Sequence, residues 1–156
     1  MKNRIYLLAI IALSCFSLPA FAQNADEAAV KEIVRKDIEF WLAGNYDAWT
    51  SLYANTPYIQ ATGAGATGVV QRKGWDALSA FIKPVLAKNA ASIKDITFTQ
   101  ENMSIQISGN LAWVYCDQKQ NHNGSENWQH YVLEKIDGEW KIVSLISISH
   151  SSYNKK

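Results

Sequence analysis

The sequence is poor in the residues that make chemistry easy to read. It holds two cysteines and three histidines. None stands in a Cys-x-x-Cys, His-x-His or His-Glu-x-x-His spacing, so no metal site is expected. No Gly-x-Ser-x-Gly elbow occurs, which leaves Ser-His-Asp catalysis without support. Neither sign of charge prevails: 15 Lys and Arg face 14 Asp and Glu, for a net +1. Without a long single-sign run to follow a phosphate backbone, a nucleic-acid partner is not expected. No cofactor fingerprint is present either. Gly63-Ala64-Gly65-Ala66-Thr67-Gly68 offers three glycines, but no Gly-Lys-Ser/Thr closes the stretch and no acidic residue follows in a strand–helix–strand context. It reads as a flexible loop at a pocket mouth rather than a phosphate cradle.

What the chain has in quantity is apolar and aromatic surface. Hydrophobic residues fill 48% of its 156 positions, with six Trp, seven Tyr and five Phe. That suffices to order one globular domain. The first segment stands apart. Lys2 and Arg4 precede a nearly unbroken apolar stretch from Ile5 to Leu18, shorter than the ~20 residues a membrane-spanning helix needs. Pro19 breaks any helix there, and Ala20-Phe21-Ala22 places small residues before a cleavage point. Residues 1–22 are therefore read as a secretory signal peptide cut after Ala22, with residues 23–156 as a single exported domain, periplasmic or secreted. Two alternatives are an uncleaved anchor and lipoprotein processing at Cys15, where Leu13-Ser14-Cys15 loosely matches a lipobox. Loss of Lys2 and Arg4 takes the net charge from +1 to −1. It also leaves Cys116 as the sole thiol, so no internal disulfide is available.

The mature chain reads as helices first, then strands. Val30, Ile33, Val34, Ile38, Trp41 and Leu42 form one apolar stripe, predicting a helix over 24–43 with Asn24 or Asp26 as its cap and Gly44 at its left-handed end. A short second helix runs from Asn45 or Asp47 to about Ala54, stopped by Asn55-Thr56-Pro57. A short strand is expected at 58–62. Residues 75–88 return to helical spacing, with Pro84 kinking or splitting the helix. From Ser92 the period changes to two. Strands are expected within 93–107, anchored by Ile96, Phe98, Met103, Ile105 and Ile107, and at 111–119, 127–136 and 139–150. Helices followed by an antiparallel meander define an α+β domain.

Asp137-Gly138 is the strongest turn signal, since a type I′ hairpin needs positive φ at both central positions. A two-residue turn pairs Ile136 with Glu139. Strict alternation then sets Leu133 opposite Ile142, Tyr131 opposite Ser144 and Gln129 opposite Ile146 on one face. Val132 with Val143, His130 with Leu145 and Trp128 with Ser147 lie on the other. The second face is too apolar for solvent, so a homodimer contact through Trp128, Val132, Val143 and Leu145 is expected; the competing reading is that the C-terminal tail or a helix covers it.

Several stretches together resemble the SnoaL-like branch of the nuclear transport factor 2-like superfamily. They are the opening amphipathic helix, Asp47-Ala48-Trp49-Thr50-Ser51-Leu52-Tyr53, Gly74-Trp75-Asp76-Ala77-Leu78, Leu111-Ala112-Trp113-Val114-Tyr115, and the run from Tyr131 to Val143. The resemblance spans about residues 26–150. It implies a cone: N-terminal helices packed on a curved antiparallel sheet around an apolar pocket, often dimeric through the outer sheet face. It also implies that Tyr53, Tyr58, Gln60 and Trp75 form the pocket's helical wall and rim. No family catalytic motif maps onto this chain, and Ser144 and Ile146 stand where many relatives carry a His.

Candidates for chemistry are few. Asp117 shares a strand face with Trp113 and Tyr115, and a carboxylate among aromatics is a potential general base; the competing reading is a solvated acid at a strand end. Tyr115 and Tyr131 are potential hydrogen-bond donors to an oxyanion, or core residues with a polar tip. His150 ends the last strand on the alternation of Ile146 and Ile148. His122 falls in a loop, His130 on the outer face, and Cys116 reads as a small buried hydrophobe. The expected function is binding of a small, partly apolar ligand in the pocket lined by Tyr53, Tyr58, Gln60, Trp75, Tyr115, Tyr131, Ser144 and Ile146. Two alternatives stand beside it. One is a lyase or isomerase with Asp117 or His150 as base and Tyr115 or Tyr131 as donor. The other is a structural module whose cone is packed shut.

Overall fold

The computed structural model describes residues 18–92, 95–122 and 124–149. Helix α1 (Leu18–Ala43) opens the chain. It begins earlier than the apolar stripe does, with Pro19 in its first turn, where a missing N–H costs nothing. Asp26 therefore caps no helix start. Its Oδ1 instead accepts from Lys135 Nζ at 2.6 Å and Trp140 Nε1 at 2.9 Å. Gly44 closes α1 at φ 63°, the left-handed geometry that glycine adopts without strain. Asn45 then caps α2 (Tyr46–Ser51), its side chain accepting from the Ala48 N–H at 3.1 Å.

The chain leaves α2 along the sheet instead of continuing the helix to Ala54. Tyr53 forms an isolated parallel bridge with Ile142, and Ala54 N–H donates to the Ile142 carbonyl at 3.0 Å. Two strands follow, β1 (Gln60–Gly65) and β2 (Gly68–Lys73). This corrects the loop reading of the glycine-rich stretch: it is a hairpin, turned at Ala66-Thr67. Its strand β2 escaped the periodicity because an edge strand with Val69 and Val70 both exposed carries no alternation. Helix α3 (Trp75–Ser92) is one element despite Pro84 inside it.

Strands β3 (Phe98–Ser108), β4 (Leu111–Gln120), β5 (Glu126–Ile136) and β6 (Glu139–Ser149) complete a six-stranded sheet in the order β2-β1-β6-β5-β4-β3. The meander is antiparallel as expected, but β1 runs parallel to β6, so the curved, open sheet is mixed. The helices cover its inner face. Val30 and Val34 of α1, Leu78 and Leu86 of α3, and Val114, Tyr131, Leu133 and Ile142 of the sheet are among its most buried residues. β3 keeps its apolar side inward only because a bulge between Glu101 and Ser104, with Asn102 at φ 50°, reverses its alternation. Phe98 and Gln100 precede that bulge; Met103, Ile105 and Ile107 follow it on the inward side.

The Asp137-Gly138 turn has the expected form, with φ of 51° and 85° and Ile136 opposite Glu139. The predicted register holds as far as Leu133–Ile142 and then slips by one residue. Val143 is the extra residue of this second bulge. Val132 consequently pairs with Ser144, Tyr131 with Leu145, His130 with Ile146 and Gln129 with Ser147. The slip falls where β6 exchanges partners. Ile142 is bonded to the segment after α2, whereas Ser144 onward pairs with β1. Beyond the bulge every side chain of β6 changes face relative to the expectation. Leu145 and Ser147 point to the helices, and Ile146 points outward.

Candidate functional site

Between the helices and the inner sheet face lies a cavity of about 340 Å³, at the small end of the range for small-molecule sites. Its walls are Ile38 and Trp41 of α1, Trp49 of α2, Leu78, Phe81 and Ile82 of α3, and Phe98 and Leu145 of the sheet. Gly63 and Val70 bring in the β1–β2 hairpin. Polar groups enter at few points: Asp37 from α1, Arg72 from β2, and Gln118, Asn127, Gln129 and Ser147 from β4, β5 and β6.

Asp37 is the central acid, 3% exposed. Tyr53 Oη donates to its Oδ1 at 2.7 Å and Tyr131 Oη to its Oδ2 at 3.0 Å. Burial pushes its carboxyl up to about 6, against hydrogen bonds from Tyr53, Tyr131 and Trp49 that favour the charged form. The two tyrosine hydroxyls are driven well above their ordinary value, first by burial and next by the neighbouring carboxylate. The sequence carried a signal for Asp37: it occupies a position three, four and seven residues after Val34, Ile33 and Val30, inside the apolar stripe of α1.

The amides form a second cluster. Gln118 and Gln129 are both buried, placed inward by the same alternation that buries Val114, Cys116, Tyr131 and Leu133. Gln129 Nε2 donates to Gln118 Oε1 and to Ser147 Oγ. A glutamine on the core face of each of two adjacent strands was the sequence signal for this shelf.

The sequence-predicted site residues divide sharply. Tyr53 lines the cavity, and Tyr131 meets it there through Asp37. Tyr115 and Asp117 do not: the residues of β4 that face inward are Ala112, Val114, Cys116 and Gln118, so Tyr115 and Asp117 stand on the outer face. There Tyr115 Oη and Asn102 Nδ2 each donate to Asp117 at 2.7 Å. That carboxylate secures the β3 bulge, and its hydrogen bond pushes the Tyr115 phenol up. Tyr58 is 58% exposed and donates to Glu134 Oε2 at 2.7 Å. Gln60 reaches Ser144 on the outer side at 3.5 Å. Ile146 is exposed because of the Val143 bulge, and Trp75 packs at the start of α3 away from the cavity lining. His150 lies outside the described residues. Of the outer-face patch, Trp128 and Val132 keep their place, while Val143 is buried and Leu145 faces the cavity.

These features define a class: a helix-covered curved sheet holding an apolar pocket with a few inward polar groups. The SnoaL-like domain model matches residues 30–152, and the chain belongs to that family. Solved structures agree in fold. A nuclear transport factor 2-like protein with a cystatin-like fold from Novosphingobium aromaticivorans superposes with a TM-score of 0.69 at 13% identity, covering 88% of this chain and 90% of that one. A dehydratase candidate of the same fold family from Streptomyces avermitilis gives 0.67 at 14% identity, over 81% and 97%. A protein of unknown function from Shewanella oneidensis gives 0.61 at 22% identity, over 79% and 98%. No curated protein matches the chain.

Proposed function

We propose that this protein binds a small, partly apolar ligand in the cavity between its helices and sheet. One observation carries the reading: the cavity of about 340 Å³ is walled by aromatic and aliphatic side chains, yet holds a carboxyl group and an amide shelf. Apolar walls supply affinity, and a few inward polar groups orient the guest. A module packed shut would have filled that space, since protein interiors leave few voids larger than a water molecule. Titration of the protein with ring-sized compounds, read by tryptophan fluorescence, tests the proposal. Ala61→Phe extends a ring from β1 into the cavity. It is expected to abolish binding while the protein stays folded, and unchanged binding would move the site elsewhere.

A second reading is favoured by one observation, Asp37. A carboxyl group with its pKa near 6 that faces an apolar pocket is suited to take and return a proton near neutral pH. The chemistry is then a lyase or isomerase step beginning with proton abstraction next to a carbonyl, with Asp37 as base in place of Asp117 or His150. Solvent deuterium entering a bound ketone beside its carbonyl, and failing to enter with Asp37→Asn, is the expected result. Equal exchange by both proteins removes Asp37 from the chemistry.

Two further properties belong to this reading. The protein is exported, with residues 1–22 as its leader; among the described residues no helix is long and apolar enough to cross a membrane. N-terminal sequencing of the protein recovered from cells is expected to begin at Gln23. The protein pairs with a second copy through the outer sheet face, where Trp113, Trp128 and Ile146 are 45%, 42% and 37% exposed. Trp113→Lys is expected to convert a sedimenting dimer into a monomer.

A further inference from the structure

Among the described residues, Arg72 is the one basic side chain that lines the cavity. Its place follows from the pairing of the sheet. Arg72 on β2 stands opposite Ala61 on β1, Ala61 beside Leu145 on β6, and Leu145 opposite Tyr131 on β5. These residues form one row across the inner face, and three strand spacings put its ends roughly 14 Å apart. At the buried end Tyr131 holds Asp37. Arg72 stands at the other end, where the cavity meets solvent: Val70 and Phe81, which share its lining, are 46% and 39% exposed. The next row pairs Val70 with Gly63, and nothing lies within 4 Å of the point that a Cβ on Gly63 would occupy. The wall beside Arg72 is therefore open.

The guanidinium is positioned but not neutralised. Its carbon lies 4.3 Å from the ring centre of Phe81, a cation–π contact that uses no hydrogen-bond acceptor. Nη1 donates to the Gln71 carbonyl at 2.9 Å. No carboxylate lies within ion-pair distance of Arg72 among the described residues. Asp37 gives no counter-charge there, being engaged with Tyr53 and Tyr131. Donors remain in the plane of the guanidinium, in the fork that matches a carboxylate. One guanidinium balances the single charge of a carboxylate, not the nearly double charge of a phosphate monoester. The buried end is closed to an anion, because a second negative charge beside Asp37 is disfavoured.

Resting on the pocket reading above, we propose that the ligand is a ring-sized carboxylic acid bound with its carboxylate outward. The carboxylate sits on Arg72 at the mouth, where it keeps part of its hydration. The apolar body lies inward among Trp41, Trp49 and Leu78. Arg72 selects by charge, and the inner walls select by shape.

The test uses the full chain and calorimetric titration at mildly alkaline pH and low salt. The probes are phenylacetate with its neutral amide, and 2-naphthylacetate with its neutral amide. In at least one pair the acid is expected to bind about tenfold more tightly than the amide, the gain of one hydrogen bond to a charged group. Arg72→Gln is expected to bring acid and amide together. Arg72→Lys keeps the charge without the fork and is expected to retain part of the preference. An acid that binds no better than its amide in both pairs overturns this inference and leaves the pocket reading standing. So does a preference that Arg72→Gln leaves unchanged. If no probe binds, the amides included, the pocket reading falls and this inference with it. Should Arg72→Gln fail to fold by circular dichroism, the wild-type ranking and a preference reduced by Arg72→Lys decide.

Discussion

Tyr131 on β5 donates its phenolic hydrogen to Asp37 Oδ2 on α1 at 3.0 Å, joining the sheet to the opening helix at the floor of the cavity. The bond is made to a group whose charge is disfavoured. Burial holds the Asp37 carboxyl up to about 6, above its ordinary 3.8. A folded state that binds the proton more tightly than the unfolded chain gains stability from it at low pH. That gain is complete below ~3.8 and lost as pH rises through ~6. At ~1.4 kcal/mol per pKa unit the span amounts to about 3 kcal/mol. Asp37→Asn removes the titration. Its urea-unfolding free energy relative to the parent is expected to rise by up to that amount between pH ~4 and ~7. A difference that stays flat across the window would mean that Asp37 ionises as a solvated acid does.

The tyrosines act on the same equilibrium from the other side. Each hydroxyl stabilises the carboxylate form, so removing one raises the Asp37 pKa further. Tyr53→Phe deletes the 2.7 Å bond. Carbon-detected NMR titration of the Asp37 carboxyl is expected to place its midpoint above that of the parent. A midpoint that is unchanged or lower would show that the bond does not act on the carboxylate.

Much of this architecture was legible beforehand because it rests on local rules. The stripe of α1, the glycine at its end and the Asp137-Gly138 hairpin each follow from a short stretch of chain. The cavity did not follow, because its lining depends on two bulges. Val143 is inserted where β6 exchanges the segment after α2 for β1, an event set by long-range pairing that strict alternation does not contain. Asn102 reverses β3 in the same way. Asp37 and Gln129 were visible as polar residues on core faces, yet alternation and helical spacing say only that they are buried. They do not say that space is left in front of them. The attraction of Asp117 as a base came from its aromatic neighbours on one strand, and those neighbours share the outer face.

Cys116 is fully buried on β4, and burial first, then the charges of Asp117 and Asp37, push its thiol up to about 12. A thiolate is the reactive form. In a Cys15→Ser protein, Ellman's reagent at mildly alkaline pH is expected to leave Cys116 untouched until denaturant unfolds the chain. Rapid labelling of the native protein would contradict its placement in the core.

Asp117 tests the separation of the two sheet faces. Asp117→Ala deprives Tyr115 and the bulge residue Asn102 of their acceptor. A loss of about 1 kcal/mol in unfolding free energy is expected, with affinity for ring-sized probes unchanged. Weakened binding at equal stability would return Asp117 to the site.

Asp26 gives the mirror image of Asp37. Its Oδ1 accepts from Lys135 and Trp140, joining α1 to the β5–β6 hairpin. The Lys135 bond, then that of Trp140, holds its carboxyl below the ordinary 3.8. A depressed carboxyl contributes stability above its unfolded pKa and loses it as pH falls through the folded one. The groups are partly solvated, with side chains 29% and 24% exposed for Lys135 and Asp26, so screening keeps the contribution small. Asp26→Ala is expected to cost about 1 kcal/mol near neutral pH. Asp26→Asn retains an acceptor for the Trp140 indole and is expected to cost less. In acid the parent loses its ionic contribution, so the gap between parent and Asp26→Asn is expected to close as pH falls below ~4. Trp140, 5% exposed, reports the change by fluorescence. A gap that instead widens in acid would mean that the Asp26 carboxyl is held above its ordinary value, contrary to its bonds with Lys135 and Trp140.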